Sequence, residues 1–232
     1  MKSVLITGLK NEFDIKLSEI FSRYGFKVFA MGNGKIDGVN LLPPEYKDAA
    51  AELKKGANFI DIYIDVSDER SPADNFDVRG GINDQVMRGL YDANVIKPMA
   101  MLEAFFPLLE AGEYKRLCYL TSSEASINET QDKTGYGYKM AKAGLHNFLQ
   151  ITRNVLAPKG YTIRVFDPCL AAIGKDLNNK TKITGKKSGG DLSAEAAFNY
   201  FTRGRGVERG DPLRDDETNL VFRDAYGRQH SW

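Results

Sequence analysis

Short runs of β-branched and aromatic residues recur along the chain, separated by segments whose apolar residues repeat at helical period, and this alternation admits few architectures. The runs lie at about 3–7, 26–31, 37–41, 58–65, 115–121 and 161–166, with a weaker one near 219–223. The helical segments lie at about 12–24, 45–55, 82–111, 136–157 and 193–203. Strand, helix, strand in succession makes parallel pairs joined by right-handed crossovers. The chain is therefore predicted to be α/β, a doubly wound parallel sheet wrapped by helices, with ligands beyond the carboxyl ends of its strands.

Nothing in residues 1–232 reads as a linker, and a chain of this length buries one large core, so a single domain is expected. Thirty-two basic against 31 acidic side chains leave a net charge of +1, which gives no sign of a nucleic-acid partner. Cys118 and Cys169 lie among apolar residues and read as reduced thiols, and the apolar run at Val4-Leu5-Ile6 is too short for a leader or a membrane span. A cytoplasmic setting without a membrane is expected. With only His146 and His230 present, and no Cys/His pair at ligand spacing, no metal site is expected. The same shortage of histidine, and the lack of a Gly-x-Ser-x-Gly elbow, sets a serine hydrolase aside.

The residues with chemical potential fall where the sheet would gather them. Thr7-Gly8, Ser67, Ser122-Ser123 and Pro168 stand at predicted carboxyl ends of strands. Tyr138 and Lys142, four apart on a predicted helix, share a face on which the ammonium is expected to lower the phenol's pKa and make it a usable proton donor or acceptor. Asn94 lies in the long helix before that strand and would close the side of the same cleft.

Val4-Leu5-Ile6-Thr7-Gly8, Asn94, Leu120-Thr121-Ser122-Ser123, Tyr138-Lys139-Met140-Ala141-Lys142 and Arg164-Val165-Phe166-Asp167-Pro168 follow one another as in the short-chain dehydrogenases/reductases, which the chain resembles over nearly its whole length. The resemblance implies a Rossmann-type domain that transfers hydride between NAD or NADP and a small alcohol or ketone. It implies Tyr138 as general acid/base, Lys142 as the cation beside it and a ribose ligand, Ser123 as the group that polarises the substrate oxygen, and Asn94 as holder of a water-linked proton path. Ser123 stands fifteen residues before Tyr138 and Ser126 twelve, one on either side of the family's usual separation, so Ser126 is the alternate. Thr7, Gly8, Asn11, Lys142 and Pro168 would contact the cofactor.

The chain also departs from that pattern. Where the family has Thr-Gly-x-x-x-Gly-x-Gly, this chain reads Thr7-Gly8-Leu9-Lys10-Asn11-Glu12-Phe13-Asp14, with carboxylates at the last two glycines. Asn11 followed by Glu12 and Asp14 makes a helix start that supplies its own anion where phosphates would lie. The family's Asn-Asn-Ala-Gly is Asp65-Val66-Ser67-Asp68, and its Pro-Gly is Pro168-Cys169, a change expected to be mild. Gly32-Asn33 and Lys35 select neither NAD nor NADP.

Two readings stay open: an active oxidoreductase, or a degenerate subunit that no longer binds dinucleotide and serves as scaffold or partner of an active homologue. Redox-neutral proton transfer without nicotinamide is a third. A lysine-rich, glycine-hinged stretch at about 169–194 is expected to be a substrate lid, one that would favour an anionic substrate. Second apolar faces on the helices at about 82–111 and 136–157 imply a homodimer or tetramer, or a hetero-oligomer with a related subunit.

Overall fold

The computed structural model describes residues 1–32, 34–77, 81–131, 133–169, 189–203 and 215–232. The strands are β1 Ser3–Thr7, β2 Lys27–Met31, β3 Val39–Leu42, β4 Ile62–Asp65, β5 Phe76–Asp77, β6 Gly81–Ile82, β7 Arg116–Leu120, β8 Thr162–Asp167, β9 Phe222–Asp224 and β10 Gln229–His230. The helices are α1 Glu12–Arg23, α2 Tyr46–Gly56, α3 Asp84–Tyr91, α4 Lys97–Glu110, α5 Tyr136–Leu156, α6 Gly189–Thr202 and α7 Asp215–Thr218. Eight strands make one sheet in the order β10-β9-β8-β7-β4-β1-β2-β3, parallel throughout except for β10 against β9. β5 and β6 form a separate antiparallel ribbon.

The strands read as continuous apolar runs because helices cover both faces. Alternate residues serve the two layers: Leu5, Phe29, Tyr63, Leu117 and Val165 join the core under α2, α4 and α5, while Val4, Ile6, Ile62, Ile64 and Phe166 join the core under α1 and α6. On that second face Phe21 of α1 meets Phe198 of α6 edge-on at 4.9 Å. Order reverses between β1 and β4, the two strands that leave the sheet's centre in opposite directions, which opens a crevice at their carboxyl ends.

All seven predicted strands are present, and the predicted helices with them. The helix expected over 82–111 is broken by a π turn at Asp92–Ile96 between α3 and α4. Carboxylates and arginines that no periodicity reveals close the far edge of the sheet. Asp216 pairs with Arg223 at 2.7 Å and with Arg164 at 3.3 Å, and Glu217 pairs with Arg116 at 2.6 Å, which ties α7 to β7, β8 and β9. The C-terminus docks on the domain: the Trp232 carbonyl accepts from Asn128 Nδ2 at 2.7 Å, and its ring packs against His146 and Phe222. Cys118 and Cys169 are free thiols. Among the described residues no helix is long and apolar enough to cross a membrane. Most of the expected lid at 169–194 lies outside the described residues.

The crossover from β1 to α1 passes hard against the end of β4. Gly8 has φ +84°, and a Cβ there would lie 2.5 Å from Ser67 Oγ and 2.8 Å from Ser67 N. Left-handed strain and this clash together predict that Gly8→Ala lowers stability by about 2 kcal/mol or more, read as a shift of the urea midpoint without a change of slope.

Candidate active site

Helix α5 carries the two residues that the spacing singles out, and a distant carboxylate fixes where it begins. Asp74 accepts from the backbone N–H of Gly137 at 2.7 Å and of Tyr138 at 2.8 Å, one oxygen to each. Its own carbonyl accepts from Gly135 N–H at 3.1 Å. The first turn of α5 thus has its loose amides satisfied by a residue of the β4–β5 connection, and the aligned peptide dipoles favour that negative charge. From this anchored start Tyr138 and Lys142 project inward together, with 3% and 0% of their surface exposed.

The end of β4 receives them. Lys142 Nζ donates to the Ser67 carbonyl at 2.6 Å and lies 3.4 Å from Asp68 Oδ1. The Tyr138 hydroxyl donates to Asp68 Oδ1 at 2.7 Å and accepts from Arg70 Nη2 at 2.8 Å. The Arg70 guanidinium also lies over the Tyr138 ring, 3.9 Å from its centre, and reaches Glu124 Oε1 at 3.0 Å. Asp68 and Arg70 therefore hold the phenol oxygen directly, and Lys142 and Glu124 hold those two in turn.

This corrects the expectation of a phenol with a lowered pKa. Burial, and then the Asp68 carboxylate, hold the Tyr138 hydroxyl well above the ordinary phenol range, against the opposing pull of Arg70. Burial also pushes Lys142 below the usual ammonium range, though Asp68 and Asp65 support its charge. Burial raises Asp68 as well, but the Lys142 ammonium, the Tyr138 hydrogen bond and Arg70 outweigh it, so the carboxyl stands below its usual value and is ionised at neutral pH. As the structure stands, the hydroxyl is protonated and spent on Asp68.

Asn94 lies in the π turn, fully buried, and its amide is saturated. Its Oδ1 accepts from Glu69 N–H at 3.0 Å, and its Nδ2 donates to the carbonyls of Glu69 and Leu90, each at 2.9 Å. A π turn inserts one residue into the helical ladder and so re-aims the side chain; here it clamps the segment that carries Asp68 and Arg70. Ser123 opens a short turn after β7 and donates its backbone N–H to Asp167 Oδ2 at 2.7 Å. Ser126 is buried, with its Oγ accepting from Glu129 N–H at 3.2 Å, so the alternate serine is committed to a turn. Glu124, between them, is the residue of this loop that joins the tyrosine cluster. His146 is buried, its Nε2 paired with the Thr121 hydroxyl, and is pushed down to about 4 by burial and then by Lys142.

The expected cofactor contacts lie along the crevice. Thr7 Oγ1 donates to Asp65 Oδ2 at 2.9 Å, and the Pro168 carbonyl accepts from Ser193 Oγ at 2.6 Å. Asn11 caps α1, its Oδ1 accepting from Asp14 N–H at 3.2 Å. Asp14 Oδ2 accepts in return from Asn11 N–H at 2.9 Å and from Lys10 N–H at 2.7 Å. The anion expected from the sequence is therefore in place, supplied by Asp14. Beyond it Gly8, Leu9, Lys10, Met31, Gly32 and Lys97 help line a cavity of about 400 Å³ that runs to Ser67 and Asp68. Lys10 is ion-paired with Glu69 at its mouth. Cys169, in the place of the family's glycine, has φ +50°, so this exchange is less mild than expected: a left-handed cysteine carries about 1 kcal/mol of strain.

Sequence reasoning missed Asp74, Arg70 and Glu124. Asp74 is separated from the helix it caps by the whole of α3 and α4, and no local pattern links them. The signal available for Asp68 was its replacement of a glycine.

No protein-family profile matches the chain. An uncharacterised oxidoreductase of Schizosaccharomyces pombe is 23% identical over 141 residues, which span 60% of this chain and 54% of that protein. A structure from Burkholderia multivorans assigned as a short-chain alcohol dehydrogenase aligns over 100% of this chain and 99% of its own, with a TM-score of 0.75 and 15% identity. A carbonyl reductase from Pseudomonas aeruginosa PAO1, solved in complex with NADP, aligns over 100% of both chains with a TM-score of 0.73 and 18% identity. At these identities the likeness establishes the fold.

Removing the Asp74 carboxylate leaves two amides of the first α5 turn unpaired. Asp74→Ala is expected to cost about 1–2 kcal/mol in chemical denaturation, and Asp74→Asn, which keeps one acceptor, distinctly less.

Proposed function

We propose that this chain, which has the short-chain dehydrogenase/reductase fold over its full length, is a divergent oxidoreductase of that type, exchanging hydride between NAD(P) and a small alcohol or ketone. The observation that carries the reading is the pairing of Tyr138 and Lys142 on one buried face of α5, aimed at the crevice where the strand order reverses. Two whole-chain structural neighbours, one assigned as a short-chain alcohol dehydrogenase and the other an NADP-bound carbonyl reductase, support it.

The crevice fits a dinucleotide at its outer end. Gly8 lets the backbone pass closely, and the cavity beside Met31, Gly32 and Lys97 is within the range of small-ligand sites. Toward the middle, the amides of Lys10 and Asn11 are held by Asp14, and the cofactor has to compete for them. Thr7, Gly8, Asn11, Lys142 and Pro168 would hold the group, and when bound it would supply or accept the hydride.

The chain's own residues handle the proton. The Tyr138 phenol is set at the crevice between the Asp68 carboxylate and the cations Arg70 and Lys142. For its O–H to meet a substrate oxygen it has to turn away from Asp68, and Arg70 has to leave the hydroxyl. Both partners face solvent in part, with side chains 36% and 50% exposed. Lys142, buried and fixed by Ser67, stays in place and keeps positive charge beside the phenol through the exchange. A cytoplasmic setting accords with two free thiols, each pushed up to about 12 by burial first and so unreactive.

We also propose a dimer built on α4 and α5. Tyr91, Ile96, Met99, Ile151 and Val155 leave apolar surface exposed on one continuous side, and grooves of about 590 and 460 Å³ run between them and Phe148. Such a patch on a helical face is stabilised by a second copy.

Consumption of NADH and NADPH with a panel of aldehydes and ketones tests the chemistry. Tyr138→Phe is expected to lower kcat by roughly 10²–10⁴-fold with an unchanged fold. Dinucleotide binding without turnover of any carbonyl, or no binding, would instead favour the non-catalytic subunit. In sedimentation the native chain should run as a dimer or larger, and Ile151→Glu with Val155→Glu as a monomer of unchanged circular dichroism.

A further inference from the structure

The carboxylate of Asp14 is an unusual object. It has no exposed surface, and one oxygen holds the two amides at the mouth of α1 while the other, Oδ1, has no hydrogen-bond partner among the described residues. A buried carboxylate oxygen without a donor is costly while ionised, and much less so once a proton removes the charge. The amides that Oδ2 occupies are the ones a phosphate would use at this helix start.

We propose that Asp14 is a proton-operated stopper in the phosphate cradle, so that dinucleotide binds only as Asp14 takes up one proton from solvent. The inference rests on the reading that this crevice takes NAD(P). Ionised, Asp14 both occupies the amides and repels the pyrophosphate. Neutral, it holds them weakly and adds no charge, and the cradle becomes open to an anion.

The surroundings work in the same direction. Asp65 and Asp68 at the end of β4 face Asp14 and add to its cost of ionisation, while the Lys10 ammonium at the rim is neutralised by Glu69. Lys142 lies beyond Asp68 and is paired to it. Glu12 adds a further carboxylate in the first turn of α1, and α6, packed along α1, carries Asp191 and Glu195. Burial first, opposed by the Lys10 and Asn11 amides and then assisted by Asp68 and Asp65, raises Asp14 to about 6. Because that value is raised, the proton is held below about pH 6 and lost above it. Cofactor affinity should accordingly fall as pH rises through this point.

The test is calorimetric binding of NAD⁺, which lacks the titrating 2′-phosphate of NADP⁺, to the wild-type chain, Asp14→Asn and Asp14→Gly between pH 5.5 and 7.5. Wild-type Kd should weaken roughly 25-fold across that span, as one proton at a pKa near 6 requires. At pH 7, titrations in two buffers of different ionisation enthalpy should report uptake approaching one proton per NAD⁺. Asp14→Asn should bind with a flat pH profile and at least tenfold more tightly than wild type at pH 7.5; Asp14→Gly should do the same and serves if the asparagine variant melts early. Binding by the wild type with a Kd constant within twofold overturns the stopper and leaves the NAD(P) reading intact, as does a pH profile unaltered in both variants. No binding by any of the three at any pH overturns both.

Discussion

The site depends on one buried cation. Lys142 is wholly enclosed, and an ammonium in that position is tolerable only while the Ser67 carbonyl and the Asp68 carboxylate stay within reach. This requirement fixes the distance between α5 and the end of β4, and with it the position of Tyr138 one turn earlier. It also explains the effort spent on either side. Asp74 pins the start of α5 by two amides, and Asn94, through its π turn, pins the segment after β4 by Glu69. The helix and the strand end are thus held independently and joined by the lysine.

Much of this was legible in the sequence. The alternation of apolar runs fixes the strands, since residues that must face two helical layers leave almost no polar positions to confuse the pattern. The four-residue interval between Tyr138 and Lys142 fixes a shared helix face whatever the rest of the fold does. The acidic start of α1 read correctly because capping is local, from Asn11 to Asp14 within one turn. The sign of the phenol's shift did not. It depends on Asp68 and Arg70, which are seventy and sixty-eight residues away in sequence, and on burial, which spacing alone cannot supply. Asp74 and the α7 ion pairs escaped for the same reason. Side chains that satisfy distant backbone or distant charge carry no period.

The carboxylates in place of glycines are not isolated changes. An aspartate at position 68 next to Tyr138 would leave a bare negative charge over the phenol, yet Arg70 and Lys142 both meet it. Lys10 likewise meets Glu69 at the crevice mouth, and Arg70 extends to Glu124. Around β4 the crevice has been rebuilt as a set of ion pairs, most of them half-exposed and individually worth little, in which Asp68 and Glu69 each have a base beside them.

Asp14 and Asp65 are the exceptions, and their isolation has a consequence. Among the described residues neither is ion-paired with a cation; Asp14 relies on two backbone amides and Asp65 on an amide and hydroxyls, and in both burial drives the pKa upward. Asp65 still gains from Lys142 and from Thr7 and Ser67, so its two oxygens are occupied. Asp14 has only one oxygen served. It has fewer hydrogen bonds to its ionised form than Asp65 has, and it stands behind the amides that an incoming anion would use. Charge balance at that point is therefore completed by a proton or by nothing, and this sets how the crevice can respond to a ligand that brings negative charge.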